Sequence, residues 1–453
     1  MLAMRRIFVV VLTLAILTLA SIPASATERR AFVSPQVALD WNLNAVNAVR
    51  GFSRSTGVAK LFQVEGLIYM SYTQAAVYDA VMKISGRYVP YHSFSANAEG
   101  ASADAAVAAA AYQTLVHYFG NVVLDTSTTP TLTDKYNAAI AALPMAGKAK
   151  GIAVGEAAAA DIIALRANDG LNGVGTNCPY TAPATFGPGD WVIVPPATFA
   201  QTPWVACFTP FLLRNAAQFR IAPPPALDSA LYAKDFNEVK AYGAVNSTIR
   251  TADQTATAYF WNAFAVNEYN DALRGTATKH NMDLVDTARL LAMGDLVITD
   301  SGIACFDSKY HYLFWRPTTA IRGAATDGNP ATEPDASWAA LINVPNHPEY
   351  PSAHGCLTSA FVNTVSKDLH TKRIEIDMKG ATNGSTTLDV TRHFATVNDA
   401  TNQVVDARTW IGFHYRFSTV AGVDLGANVA KWALKRYFRP AHGDNNNDDE
   451  NDD

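Results

Sequence analysis

Alanine placed at helical spacing is the feature that most restricts what this chain can fold into. Val58 to Met82, Ala101 to Phe119 and Lys148 to Arg166 repeat small and apolar residues on one helical face with few breakers. Alanine is the best helix former, and its small side chain lets helices approach closely. Leu227 to Tyr242, Thr251 to Leu273 and Asp283 to Phe306 continue the pattern. The expectation is an all-α fold, a helical bundle with long loops, in which two bundles can share one core and strand stays under about 12%. The 453 residues, 49% apolar and 17% charged, supply a large core and rule out global disorder.

Two stretches break the helical pattern. Asp169 to Pro225 is rich in Gly, Pro, Thr and aromatics and reads as a long ordered loop. From Arg373 to Val397, Ile374, Ile376 and Met378 alternate with charged residues, Asn383-Gly384-Ser385 turns, and Thr387, Leu388 and Val390 follow. That pattern predicts a small β-hairpin.

The ends read differently from the body. Arg5-Arg6, the apolar run Ile7 to Ala20 and Ala24-Ser25-Ala26 form a secretory signal, with cleavage near Ala26 and a secreted or periplasmic product. The apolar run is too short for a stable membrane anchor. Residues 27–441 are expected to form one helical domain, and the acidic tail 442–453 to be disordered. An exported chain with Cys178, Cys207, Cys305 and Cys356 favours disulfides, with Cys178–Cys207 and Cys305–Cys356 preferred; four buried thiols are the alternative. A net charge of −5 excludes the basic face of a nucleic-acid binder. A homodimer is one assembly the sequence allows.

Three runs carry chemistry. In Lys309-Tyr-His-Tyr-Leu-Phe-Trp-Arg316-Pro317, the two cations are seven apart. On a continuous helix that is about 700°, so they share one face, with Pro317 disrupting the helix afterwards. The other reading is two solvated surface cations. In His347-Pro-Glu-Tyr-Pro351-Ser352-Ala353-His354-Gly355, a proline followed by an apolar periodic segment places Ser352 to Gly355 at a helix N-terminus, which favours an anion. An N-cap serine with a surface histidine is the plainer alternative. In Arg408-Thr-Trp-Ile-Gly412-Phe-His414, a spacing of six puts the pair on one site only if the helix bends or ends near Gly412. An exposed arginine and a packed histidine remain the alternative there.

Together, Lys-x6-Arg-Pro, Pro-Ser-x-His and Arg-x5-His in this order resemble the vanadium-dependent haloperoxidase and type 2 phosphatidic-acid-phosphatase superfamily. Ala75-Ala-Val-Tyr-Asp79-Ala80, Arg250-Thr-Ala-Asp-Gln254, Phe260-Trp261 and Phe314-Trp315-Arg316-Pro317 are similar to its exported bacterial haloperoxidase-like branch. The resemblance implies that Lys309, Arg316 and Arg408 bind the oxygens of vanadate, for which phosphate can substitute. Ser352 and the N–H of Ala353 add hydrogen bonds. His414 supplies the ring nitrogen that bonds vanadium or, in the phosphatases, attacks phosphorus. His354 is the acid–base group. Histidine at position 347, rather than phenylalanine, leans toward bromide or iodide. The implied activity is halide oxidation by hydrogen peroxide. The alternative is phosphate-ester hydrolysis through a phosphohistidine.

Two residues depart from the family pattern. Ala353 replaces a glycine and resists positive φ. Ser418 stands where a carboxylate four residues after the histidine would orient it, which puts the basicity of His414 in question.

Overall fold

The computed structural model describes residues 34–55, 61–122, 124, 130–174, 180, 185–383 and 388–441. The signal segment, the acidic tail, Cys178 and the Gly384-Ser385 turn lie outside the described residues. The described chain is all-α with one small sheet. Its helices are α1 Gln36–Ser55, α2 Gln63–Ser85, α3 Ala103–Phe119, α4 Leu132–Ala142, α5 Lys148–Leu165, α6 Ala230–Tyr242 and α7 Ala252–Phe260. They continue as α8 Ala265–Lys279, α9 Leu284–Tyr312, α10 Pro317–Gly323, α11 Ala353–Asp368, α12 Val397–Trp410 and α13 Arg416–Arg436.

Helix α9 is the axis of the molecule. Its 29 residues are buried almost continuously from Leu284 to Lys309, the signature of a helix enclosed on all sides. It packs against α2, α8, α11 and α13. The long loop is anchored on it by one side chain: the Asp300 carboxylate accepts the N–H groups of Phe211, Leu212 and Leu213 at 2.7, 2.6 and 2.8 Å. Within its described residues that loop holds only short 3-10 turns, as its composition implied. Strands β1 Arg373–Gly380 and β2 Val390–Thr396 form the expected antiparallel hairpin, with Ile374, Ile376 and Met378 facing the core.

Two expectations are corrected. The segment read as one helix from Thr251 to Leu273 is broken between α7 and α8, where Trp261 caps α7. The break frees the Trp261 carbonyl, which accepts a hydrogen bond from Arg408 Nη1 at 3.0 Å. The Cys305–Cys356 bridge is not formed either: both are free, buried thiols. They are neighbours that hydrogen-bond to each other, and Cys305 also donates to the Pro351 carbonyl at 3.7 Å. Adjacency, which the reading foresaw, is therefore satisfied by thiol hydrogen bonds in a closed core. Cys207 is disulfide-bonded.

Helices α11 and α13 touch backbone to backbone, which fixes the N-terminal end of α11. A Cβ on Gly426 would lie 2.2 Å from the Cys356 carbonyl oxygen and 2.9 Å from the Ala360 nitrogen. A Cβ on Gly422 would lie 2.6 Å from the Ser352 oxygen. We expect Gly426→Ala to force the helices apart and destabilise the protein by about 1–3 kcal/mol, seen as a lower Tm in scanning calorimetry. An unchanged Tm would mean that this contact is slack.

Candidate anion-binding active site

The three sequence runs meet at one end of α9, α11 and α13. Lys309 lies in the last turn of α9, and its ammonium donates to the carbonyls of Pro348 and Glu349 at 2.8 and 2.9 Å. The helix does not continue to Arg316. It ends at Tyr312, Leu313 takes the left-handed conformation at φ 49°, and Arg316 is the N-cap of α10. The shared-face argument is thus corrected: a chain reversal, not helical phase, brings the two cations together. Pro317 begins α10 at its first position, where a missing N–H costs nothing.

Arg316 is the hub. Its Nε donates to the His347 carbonyl at 3.0 Å and its Nη2 to His347 Nδ1 at 3.0 Å. Its Nη1 donates to the Phe413 carbonyl at 3.0 Å and to His414 Nε2 at 3.2 Å. Arg408 belongs to α12, which ends at Trp410. Gly412 then turns at φ 81°, and the turn carries His414 back to Arg316. The turn is tight because Gly412 and Gly243 meet: a Cβ on Gly412 would lie 2.6 Å from the Gly243 oxygen. Ser352 is the N-cap of α11 and Ala353 its first residue, so the N–H groups of the first turn lack helical partners. Ala353 is not among the residues with positive φ, so alanine is accommodated without strain.

All these side chains are buried, including His354 at 6% exposure. Ser352 Oγ, His354 Nε2 and Arg408 Nε are buried without a hydrogen-bond partner. The unpartnered Ser352 hydroxyl and Arg408 Nε–H, beside three cations, match a tetrahedral oxyanion, whose oxygens only accept. Burial pulls Lys309 down to about 8, Arg316 to about 10 and Arg408 to about 9, and repulsion from Arg316 adds to it at Lys309 and Arg408. His354 and His414 are held well below the ordinary histidine range, first by burial and then by these cations. Both rings are therefore neutral at pH 7.

Two functional residues escaped the sequence reading. Glu349, inside the second run, accepts His414 Nδ1–H at 2.8 Å and the Tyr415 N–H at 3.1 Å on the same oxygen. The signal was present, because the missing carboxylate at Ser418 called for another source. Glu268 on α8 is fully buried near Arg408, and burial lifts its carboxyl to about 8. Nothing in the α8 segment distinguished it from a surface glutamate. His347 is buried between the Phe62 and Phe306 rings, each centroid 5.3 Å away. Phe62, Asn346 and Phe413 also line an outer cleft of about 840 Å³, which passes the chain neighbours of His347 and His414.

Lys309 links this geometry to pH. Burial favours its neutral amine, and a bound dianion favours the ammonium. Affinity for sulfate, whose charge is constant in this range, is expected to be full below about 8 and to weaken as pH rises through that value. Calorimetric titration at several pH values checks this. The uncharged Lys309→Met variant should bind more weakly and lose that slope; a parent Kd independent of pH would contradict it.

The chain is similar to known proteins over this region and in its fold. A family profile described as the VCPO second helical-bundle domain matches residues 289–443, which hold all six site side chains. A vanadium chloroperoxidase of Curvularia inaequalis is 27% identical over 271 residues, which span 45% of this chain and 44% of that protein. The crystal structure of a bacterial vanadium-dependent iodoperoxidase superposes with a TM-score of 0.72 at 20% identity, covering 90% of this chain and 97% of that one. A holo-type bacterial vanadium-dependent chloroperoxidase gives 0.64 at 18% identity, covering 91% and 96%. The fold is the helical vanadium-haloperoxidase fold, and within it residues 289–443 match the second helical-bundle domain of that family profile.

Proposed function

We propose that the protein is a vanadate-dependent haloperoxidase that oxidises halide with hydrogen peroxide. The carrying observation is the convergence of Lys309, Arg316 and Arg408 with the unpartnered Ser352 Oγ, His354 Nε2 and Arg408 Nε in one buried pocket. When bound, vanadate supplies Lewis-acid activation of peroxide. The three cations bind and neutralise the oxyanion. Ser352 Oγ and the N–H of Ala353 donate to it, reinforced by the N-terminal dipole of α11. His414 Nε2, the unprotonated ring nitrogen, would be the atom that holds the vanadium. Neutral His354, with Nε2 buried and unpartnered, would serve as the acid–base group for peroxide. Bromide or iodide is the preferred halide, supported by the polar His347 ring beside Arg316. We also infer export with loss of residues 1–26. No helix among the described residues is long and apolar enough to cross a membrane.

A phosphatase is the second reading. One observation favours it: Glu349 restores to His414 the carboxylate that Ser418 lacks, as a nucleophilic ring requires. One pocket serves both because both transition states are trigonal-bipyramidal oxyanions.

The test adds vanadate, peroxide and bromide to purified mature protein, beside a phosphate-ester assay without vanadate. We expect bromide oxidation that phosphate inhibits competitively. His414→Ala should abolish it, whereas His354→Ala should keep anion binding and slow turnover by about 10²–10⁴-fold. Ester hydrolysis without halide oxidation in vanadate-loaded protein would establish the phosphatase instead.

A further inference from the structure

We propose that Glu349 is the positioning residue for His414: it replaces, from the segment before α11, the carboxylate that the superfamily pattern places four residues after that histidine. The inference rests on the anion-site reading above and concerns the state of His414 before any anion binds.

The hydrogen bonds determine the tautomer without reference to any titration. A guanidinium has five N–H donors and no acceptor. Arg316 Nη1, 3.2 Å from His414 Nε2, therefore donates, and Nε2 is the unprotonated nitrogen. The ring proton is then on Nδ1, which points at Glu349 Oε1 at 2.8 Å. That oxygen also accepts the Tyr415 N–H at 3.1 Å, so its role as acceptor is confirmed from a second direction. Each side of the ring is thus assigned by an independent partner. Without Glu349, the Arg316 donor alone opposes the other tautomer, in which Nε2 is protonated and useless as a ligand or nucleophile.

The backbone of the same residue is also engaged. The Glu349 carbonyl accepts from Lys309 Nζ at 2.9 Å, and its N–H donates to the Phe314 carbonyl at 2.9 Å. One residue thereby ties the end of α9, the Arg316 segment and the His414 turn to each other. Ser418 lies on α13 close enough to the Glu349 carboxyl to favour its ionised form, although its hydroxyl and Glu349 Oε2 make no hydrogen bond. Residue 418 is therefore within reach of the space that the Glu349 side chain fills, which gives the proposal a direct rescue experiment.

The test uses full-length mature protein with ring-¹⁵N histidine, free of anion, with His414 assigned by the His414→Gln spectrum. The parent should show Nδ1–H and a bare Nε2. Glu349→Ala should move His414 to a tautomer mixture and weaken orthovanadate binding by about 10- to 100-fold. Glu349→Gln, which retains an oxygen acceptor and the side-chain volume, should keep the tautomer with a smaller loss; it guards against a folding failure of the alanine variant. Ser418→Asp placed in the Glu349→Ala background should recover both the tautomer and most of the affinity. An unchanged tautomer in Glu349→Ala overturns the proposal, as does a loss that Ser418→Asp does not recover, which would assign Glu349 to packing alone. If Glu349→Ala does not fold, a Glu349→Gln spectrum with Nε2 protonated overturns it too. The tautomer is read without vanadate, peroxide or halide. A parent protein that binds vanadate but oxidises no halide would defeat the haloperoxidase reading and leave this result standing.

Discussion

Lys309, Arg316 and Arg408 are held in place by carbonyl oxygens, and a carbonyl orients a cation without neutralising it. The acceptors are those of Pro348, Glu349, His347, Phe413 and Trp261. Had carboxylates held the three side chains directly, their charges would be cancelled before a ligand arrived. Each buried ion carries a desolvation penalty of several kcal/mol, offset by full pairing at best. The depressed values of all three cations record that penalty. A bound polyanion would relieve it. The carboxyls nearby fit the same logic. Glu349 is committed to His414 and Tyr415, and Glu268 is lifted to about 8 by burial, which keeps much of it neutral at pH 7.

The carbonyls are available because helices stop where they do. A carbonyl inside a helix already accepts an N–H four residues on. The α7–α8 break releases that of Trp261 to Arg408, and the turn after α12 releases that of Phe413 to Arg316. The loop before α11 releases those of His347, Pro348 and Glu349. Close packing then fixes these ends against each other. Glycines 422 and 426 draw α13 onto α11, and the Gly243–Gly412 contact seats the turn that bears His414. The aromatic rings of Phe314, Tyr350, Tyr415 and Phe417 fill the space behind the site, with Tyr415 and Phe417 stacked at 5.0 Å.

Much of this was legible in the sequence, and the failures have physical causes. The alanine-rich segments became α2, α3 and α5 because propensity and packing pointed the same way. Helix α1 was missed because Asn42, Asn44 and Asn47 are poor helix formers; its buried Trp41, Ala45, Ala48 and Val49 stabilise it through tertiary contacts that a local reading does not contain. The break at Trp261 was missed for a related reason: it serves Arg408, which is 147 positions away. The six site residues were found by residue type and order. Their geometry was not, since ideal helical phase for Lys309 and Arg316 presumes a helix that in fact ends between them. The mismatched spacing of Arg408 and His414 was the more informative case. It required a helix end near Gly412, and the left-handed glycine there supplies it.

Ser418 shows why a departure from a motif should be followed into three dimensions before it is read as loss of function. Along the chain, a serine in place of a carboxylate means a weaker orienter. In the fold, the requirement is only that an acceptor lie on the Nδ1 side of the ring, and any segment passing there can meet it. The loop before α11 must pass there, because its carbonyls hold Lys309 and Arg316 and its end forms the N-cap of α11. A longer acidic side chain on that loop reaches His414 from the side opposite Arg316, and 418 is then free to be small. Ser418 is fully buried, its carbonyl accepts the Ser352 N–H at 3.1 Å, and it precedes the glycines through which α13 meets α11. The loop before α11 thus brings to the Nδ1 side of His414 the carboxylate that position 418 does not carry.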